Sequence, residues 1–467
     1  MTTQTLRIAI IGAGPAGLTL AAILHRHGIK ATIFERDSSA AVRAQGGTLD
    51  IHAESGQRAI VAAGLMTEFK KLARPEGDVA RIIKKDGTVV LDENEDEQHA
   101  PQGSKEQPKE EMEGEERDDD DEEVIPGRPE IDRPDLKDML LNSLPSGTVR
   151  WGKGIKAVSP VEGTKQWTLT FLNSGLNSDS NSANNNISEP DSGPYDLILG
   201  ADGAWSRVRP VLTDVRPSYA GVSALDVWIS PEELAAHPDV AGFIGRGSVF
   251  VCAADRFLSM QRHGDGGARA YACVRTSPAE AGGAGVPSDA GLLGLSATTE
   301  EGEVDWTDER VRSRFLDRHF GDFAPEITDV VLAMTGQPAL RHLHALPVGH
   351  RWAPRAGVTL LGDAAHLATP FAGVGVNAGM ADAAELAGGI VRYVKDGGAK
   401  AGAGAKGEGD ADDDDGLARV LGAYEERMFE RTSGDAAFTA RMLEVEFRDD
   451  GCENIARIMS GGAPPVD

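Results

Sequence analysis

The sequence predicts an α/β chain: a parallel-sheet domain split by a mainly-β insertion and closed by one long C-terminal helix. Three observations predict it. Short apolar runs of buried-strand type alternate with apolar-periodic helices near both ends of the chain. Three of those runs, "RIAIIGAGPAG", "LILGADG" and "LLGDAAH", end in glycine-rich turns. Between residues 216 and 334 the texture changes to longer strands flanked by loops, as in a separate sheet.

Taken in order, "RIAIIG" is a strand, "PAGLTLAAILHRHG" a helix closed by Gly28, and "KATIFER" a second strand, which together make a βαβ unit. The first apolar run is five residues long and opens straight into this unit, so it does not read as a signal peptide. "RPDLKDMLLNSL" is a helix with Pro134 in its first turn and Leu136, Met139, Leu140 and Leu144 spaced for one face. "TVRWGKGIKAVS" and "QWTLTFL" read as strands, and "YDLILGADG" as a third buried strand. "SVFVCAADRFLSMQRH" and "ARAYACVRT" carry the second sheet. The alternating pattern resumes with "GVTLLGDAAH" and an Ala-rich helix to about residue 395, and "LARVLGAYEERMFERTSGDAAFTARMLEVEF" forms the last helix.

Gly12, Gly14 and Gly17 form a GxGxxG at a strand-to-helix junction, and Glu35 follows 18 residues after the last glycine at the next strand end. Gly12 allows the tight turn, Gly14 lets backbone amides approach a pyrophosphate, and Gly17 lets helix and strand pack closely; Glu35 can accept from a ribose hydroxyl. This predicts a Rossmann-like, dinucleotide-binding domain. The chain supplies a control, because "GAGAKG" at 402–407 matches the same pattern with no strand before it.

A nicotinamide dehydrogenase needs no further glycine-rich strand ends, yet this chain has two, with Asp202 and Gly203 in one and Asp363, Gly373 and Gly375 in the other. They fit a flavin dinucleotide, which is long and bent. Asp363 can grip its ribityl chain, and the glycines let amides reach the ring. The positive end of the helix starting near Gly375 suits the negative charge of the reduced ring.

The 467 residues are long enough for two or three packed units. Of the formal charge of −27, residues 92–123 contribute 17 acids against 3 bases and residues 396–415 contribute 7 against 2, leaving −8 for the rest. Such a surface suits neither nucleic acid nor an anionic membrane. These two segments and residues 173–190 lack the apolar side chains needed to offset ordering entropy and are expected to be disordered inserts. Cys252, Cys273 and Cys452 have neither CxxC nor metal-ligand spacing, so no disulfide framework and no metal site follow. A reducing, cytoplasmic location and a monomer are expected. No apolar run approaches the ~20 residues of a membrane span.

With these motifs in place the chain resembles the single-component FAD-dependent aromatic hydroxylases of the p-hydroxybenzoate hydroxylase type. "GGTLDIHAESGQRAI", "EIDRPDLKDMLLNSL" and "GDAAHLATPFAGVGVNAG" most resemble the tetracycline-inactivating flavin monooxygenases. The resemblance implies a monooxygenase that uses NADPH and O2 to hydroxylate a small aromatic or polyketide-like substrate through a C4a-hydroperoxyflavin. A halogenase, an oxidase or a noncatalytic flavoprotein is the alternative. It implies a discontinuous FAD-binding domain over 1–78, 125–213 and 335–395, a substrate domain over 79–91 and 214–334, and a C-terminal helix over 416–450. Residues 92–124, 173–194 and 396–415 are the inserts.

Residue by residue, the resemblance places Glu35 and Arg36 on the adenosine half and Asp50 and Arg133 on FAD. Asp363 falls on the ribityl or pyrophosphate region, Gly373, Val374, Gly375 and Val376 on the isoalloxazine, and Arg43 on NADPH. Pro370 and Phe371 line the flavin side of the substrate cavity. No side chain is assigned a catalytic role, since the flavin carries the chemistry, and His366 is expected to support its turn. The substrate side departs from the family. Ala224 stands near the position of a substrate-contacting glutamine, and Arg246 and Arg256 are the nearest candidates for an arginine.

Overall fold

The computed structural model describes residues 6–43, 46–94, 124–172, 191–276, 286–294, 304–333, 338–396 and 416–462. The three expected inserts, the "GAGAKG" control among them, lie almost wholly outside these residues.

The chain opens with β1 (Ile8–Ile11), α1 (Pro15–Arg26) and β2 (Ala31–Phe34). All four β1 residues are buried, as a central parallel strand requires. Pro15 sits in the first turn of α1, where its missing N–H costs no hydrogen bond. The short β3 (Thr48–Asp50), α2 (Gly56–Ala63) and α3 (Met66–Leu72) follow, then β4 (Ala80–Lys84) and β5 (Val89–Asp92). Next come β6 (Glu130–Asp132), α4 (Arg133–Asn142), β7 (Val149–Arg150), β8 (Ile155–Pro160), β9 (Trp167–Phe171) and β10 (Leu197–Gly200). "TVRWGKGIKAVS" thus divides into β7 and β8, with Gly152 turning at φ +70° between them.

The long β11 (Ser218–Ile229) begins the second body, followed by α5 (Pro231–Ala236) and α6 (Pro238–Ile244). Strands β12 (Ser248–Ala253), β13 (Arg256–Arg262) and β14 (Ala268–Arg275) and helices α7 (Asp289–Leu292), α8 (Glu309–Phe320) and α9 (Pro325–Leu332) complete its middle. The remainder is β15 (Ala339–Ala345), β16 (Val358–Leu360), α10 (Asp363–His366), α11 (Gly375–Lys395), α12 (Gly416–Glu446) and α13 (Gly451–Met459).

Among the described residues, five strands form one sheet in the order β16-β10-β1-β2-β7, all pairs parallel. A seven-stranded sheet runs β15-β11-β14-β13-β12-β4-β5. Segment 339–345, grouped by sequence with the first body, is the edge strand of the second sheet, paired with β11. Strands β4 and β5 leave the first body to pair beside β12.

Three apolar cores follow from this division. One fills the parallel sheet and its helices and includes Ile10, Leu18, Leu24, Ile33, Leu360 and Tyr424. A second lies under one face of the seven-stranded sheet, covered by α5 to α9. The third lies on the opposite face, where Met442, Val445 and Cys452 from the C-terminal helices meet Ile82, Cys252, Phe257 and Cys273. All three cysteines are buried and free.

Candidate active site

In an open parallel sheet, ligands bind outside the carboxyl ends of the strands. Four adjacent strands, β16, β10, β1 and β2, end respectively in Asp363, Asp202, the Gly12–Gly14 turn and Glu35. Residues more than 300 positions apart in sequence therefore line one edge.

Steric facts fix the glycines. Gly12 has φ +106°, and a Cβ there would sit 2.3 Å from the Ala201 carbonyl oxygen. A Cβ on Gly17 would lie 2.2 Å from the Gly12 oxygen, so α1 packs on the turn only through glycine. Gly14, Gly203 and Gly375 differ, because a Cβ on any of them would meet nothing within 4 Å. Space is therefore open beside all three glycines at the strand ends. Glu35 braces the turn: Ala13 N–H donates to its Oε2 at 2.7 Å and Asp37 N–H to its Oε1 at 3.0 Å.

The Gly362–Asp363 turn lies against the same loop. The Cβ position of Gly362 is 3.4 Å from the Ala16 Cβ, and that of Gly379 is 3.3 Å from it. Asp363 is exposed at the lip. Beneath it lies a buried charge network. Asp382 Oδ2 accepts from Gly362 N–H at 2.8 Å and pairs with His366 Nε2 at 2.6 Å, and Arg431 Nη2 donates to Oδ1 at 2.6 Å. Burial alone would raise the Asp382 carboxyl, but His366 and Arg431 hold it below its ordinary value. Burial likewise works to lower His366, and Asp382 overcomes it and raises the imidazole. His366 thus faces inward and supports the turn. On the other side Arg209, itself buried, donates to the carbonyls of Ala204, Asp363 and Ala364 at 3.0, 2.9 and 2.7 Å, tying the second glycine turn to the third.

At the start of α11 the buried Asn377 receives the His52 N–H at 2.9 Å and donates to the Asp50 carbonyl at 2.8 Å. It joins β3 to the helix and brings the Asp50 carboxylate to 3.4 Å from the Cβ position of Gly373. The positive end of the 21-residue α11 opens at Gly375, next to Val374 and Val376. Arg133 packs over Gly46, where a Cβ would lie 2.7 Å from its Cδ. Arg36 is exposed beyond β2, and Arg43 closes a 3-10 turn, its side chain lying outside the described part. Asp202 turns toward its own loop, accepting from Ser206 Oγ and Arg207 N–H, both at 2.6 Å; burial pushes its carboxyl up against those bonds.

On the face of the seven-stranded sheet that bears the third core, Ser259, Gln261, Arg269 and Tyr271 are only partly buried. Phe371 touches this face edge-on, 5.8 Å from Phe257 and 5.4 Å from Phe447, while Pro370 is exposed beside it. Register puts Ala224 opposite both Cys273 and Arg341, and Asp226 opposite Tyr271. Asp226 is buried and receives Arg269 through Nε at 2.7 Å and Nη2 at 2.6 Å, and Arg341 through Nε. Two arginines share one carboxylate, so this end of the face carries excess positive charge. The Tyr271 hydroxyl and Gln261 Oε1 lie 3.2 Å from the Cβ position of Gly47. Arg246 and Arg256, nearest in sequence, are placed elsewhere. Arg256 pairs across from Val274, on the opposite face, and bonds Asp322 and the His319 carbonyl. Arg246 lies in the loop before β12, its N–H donating to Asn94.

These residues fit FAD: an anion-accepting glycine turn, a brace for the ribose, a carboxylate at the central strand end and a helix N-terminus beyond it. Comparison with known proteins agrees. An FAD binding domain model matches residues 5–118 and 293–402. Monooxygenase asqM of Emericella nidulans is 30% identical, with 97% of this chain and 98% of that one covered. Monooxygenase penA of Penicillium thymicola is 29% identical over 98% and 99%. A crystal structure of tetracycline destructase Tet(51) shares the fold at TM-score 0.57 and 18% identity, covering 99% of this chain and 100% of that one. No helix of the described residues is long and apolar enough to cross a membrane. A complete strand-end cradle, together with full-length likeness to monooxygenases, establishes that this chain belongs to the FAD-dependent monooxygenase family.

Proposed function

We propose that the protein hydroxylates a small aromatic or polyketide-like compound, drawing electrons from NADPH and oxygen from O2. The observation that carries this reading is the partly buried face of the second sheet, which Phe371, two residues before Gly373, touches edge-on. Bound FAD supplies the electron transfer and oxygen activation. The chain's residues bind, orient and exclude water. Gly12, Gly14 and Gly17 cradle the pyrophosphate, Glu35 and Arg36 take the adenosine half, and Asp363 the ribityl region. Asp50, Arg133 and Gly203 complete the shell, Asp202 shapes the second turn from within its own loop, and Gly373, Val374, Gly375 and Val376 present backbone amides to the ring.

On the substrate side Phe371 and Pro370 offer an apolar wall, with Ala224 buried in the core beside it. Arg341 and Arg269 on Asp226, with Tyr271 and Gln261, offer hydrogen-bond donors at one end. An apolar ring system with an acidic hydroxyl or carbonyl edge matches that division. Buried, unpaired cysteines support a reducing cytoplasm, and the protein is assigned as a monomer there. Arg43 is assigned to NADPH.

The test is anaerobic reduction of the FAD-loaded protein by NADPH in the presence of phenolic and polyketide compounds, with H2O2 measured on readmitting air. Ligand-accelerated bleaching with little H2O2 is expected. Flavin that stays yellow with every compound refutes the reading.

A further inference from the structure

A second cavity, of about 310 Å³, lies where the β13–β14 hairpin meets the start of α4 and is lined by Gly46, Asp132, Pro134, Trp228, His263 and Asp265, with Pro231. None of these residues belongs to the strand-end cradle. The cavity wall holds an anomaly. The His263 side chain is only 2% exposed, its Nε2 has no hydrogen-bond partner, and its Nδ1 stands 3.9 Å from Asp132 Oδ1, beyond bonding distance. The nitrogen on the carboxylate side is Nδ1, which also has no hydrogen-bond partner and which an ion between it and Asp132 would satisfy; Nε2 is the ring's other unpartnered nitrogen.

The surroundings point to a cation. One ligand atom from each of Asp132, His263 and Asp265 lies within 4.8 Å of the other two. Asp132 comes from the end of β6, while His263 and Asp265 come from the turn of the hairpin, so the cluster spans both bodies. Arg74 Nη2 donates to Asp132 Oδ1 at 2.7 Å and Gly264 N–H to Oδ2 at 3.0 Å. Gly267 N–H donates to Asp265 Oδ1 at 2.8 Å. These bonds orient both carboxylates and leave lone pairs toward the imidazole. One arginine set against two carboxylates leaves the group with net negative charge. Gly264 is what lets the turn come this close, because a Cβ there would sit 2.9 Å from Arg74 Nε and 3.2 Å from Asp132 Oδ2. The Trp228 ring meets the imidazole edge-on at 4.7 Å and limits its rotation.

We propose that Asp132, His263 and Asp265 bind one divalent first-row metal ion, with water completing the shell, and that the ion clips the hairpin of the substrate sheet to the FAD-binding body. Imidazole with two carboxylates is a donor set that zinc and its neighbours accept. The ion takes no part in oxygen chemistry. It fixes the joint beside Arg133.

The experiment uses tag-free, FAD-loaded full-length protein, stripped with chelator and titrated with Zn2+ by calorimetry. Melting is followed in parallel through flavin fluorescence. One saturable Zn2+ per chain is expected, with a rise in melting temperature on binding. His263→Ala should weaken this binding about 100-fold and Asp265→Asn about 10-fold, each with unchanged flavin content, which shows that the fold survives. Zn2+ binding undiminished in both variants, or no saturable binding by the native chain, overturns the proposal.

Discussion

Replacing Asp382 with Asn keeps the side-chain shape and removes the charge on which the third glycine turn rests. The carboxylate is fully buried and accepts from three donors, Gly362 N–H, His366 and Arg431. The Asn amide nitrogen must face one of them, donor to donor. Removing one partner of a buried ion pair costs about 3–5 kcal/mol. Arg431 is a third exposed and keeps Glu385 at 2.8 Å, which places the expected loss near the lower end, ~3 kcal/mol. Denaturant titration followed by flavin fluorescence measures it, with FAD affinity measured on the same samples. A double-mutant cycle with His366→Gln should return a coupling of about 1–3 kcal/mol.

The pH dependence has a definite sign. His366 is raised in the fold, so its contribution is complete below its ordinary 6.5 and fades as pH climbs through the elevated value. Asp382 is lowered, so its contribution holds above 3.8 and fades as pH falls through the depressed value. The stability gap between the native chain and Asp382→Asn is therefore widest between those limits and narrows toward alkaline pH. A loss below about 1 kcal/mol would refute the reasoning. So would a His366→Gln protein with normal stability and flavin content whose loaded fraction no longer turns over, since that assigns His366 to the chemistry.

Gly14→Val should fold normally, since a side chain there meets no protein atom, yet lose FAD affinity about 100-fold; Gly12→Ala should fail to fold, and circular dichroism with flavin titration separates the two. Arg209→Met leaves three carbonyls without their donor and should cost about 3 kcal/mol by denaturant titration, with parallel loss of flavin. Burial raises Glu130 to about 7 from 4.5, so the neutral acid is favoured in the fold; its contribution is complete below 4.5 and is lost as pH rises through 7. Glu130→Gln should accordingly flatten a slope totalling ~3 kcal/mol across that window, seen as melting temperature against pH. Arg341→Ala should weaken binding of 2-hydroxybenzoate about 10-fold while leaving 2-hydroxybenzamide nearly unchanged, measured by flavin absorbance shift.

The strands, helices and glycine turns of the cradle were legible because each is written locally. "RIAIIGAGPAG" states its own strand, turn and helix, and "LLGDAAH" does the same. The braces were not. Arg209 meets carbonyls 155 and 154 positions away, and Arg431 reaches Asp382 across 49, so nothing within a sequence window marks the pairing. Asn377 sits inside a quoted motif, yet its bonds to β3 come from tertiary packing alone. On the second sheet, alternation says which residues share a face but not which face looks toward the flavin. The bulge between Tyr219 and Ser223 resets the register that brings Arg341 opposite Ala224. Arg256 misses this site because strand alternation puts it on the other face, opposite Val274, and Arg246 because it lies in the loop before β12. The short α13 escaped notice because it has only nine residues and begins at Gly451.

The cradle's four strand ends are spread from Gly12 to Asp363, and the strand beneath Asp363 is held in turn by Tyr424, whose hydroxyl donates to the Leu360 carbonyl at 2.8 Å. Three of those strand ends are in the chain by Gly203, but the cradle is complete only once β16 and Tyr424 have been added. A chain truncated before Val358 lacks the fourth strand end and is expected to hold FAD weakly, which the flavin absorbance of the purified fragment measures.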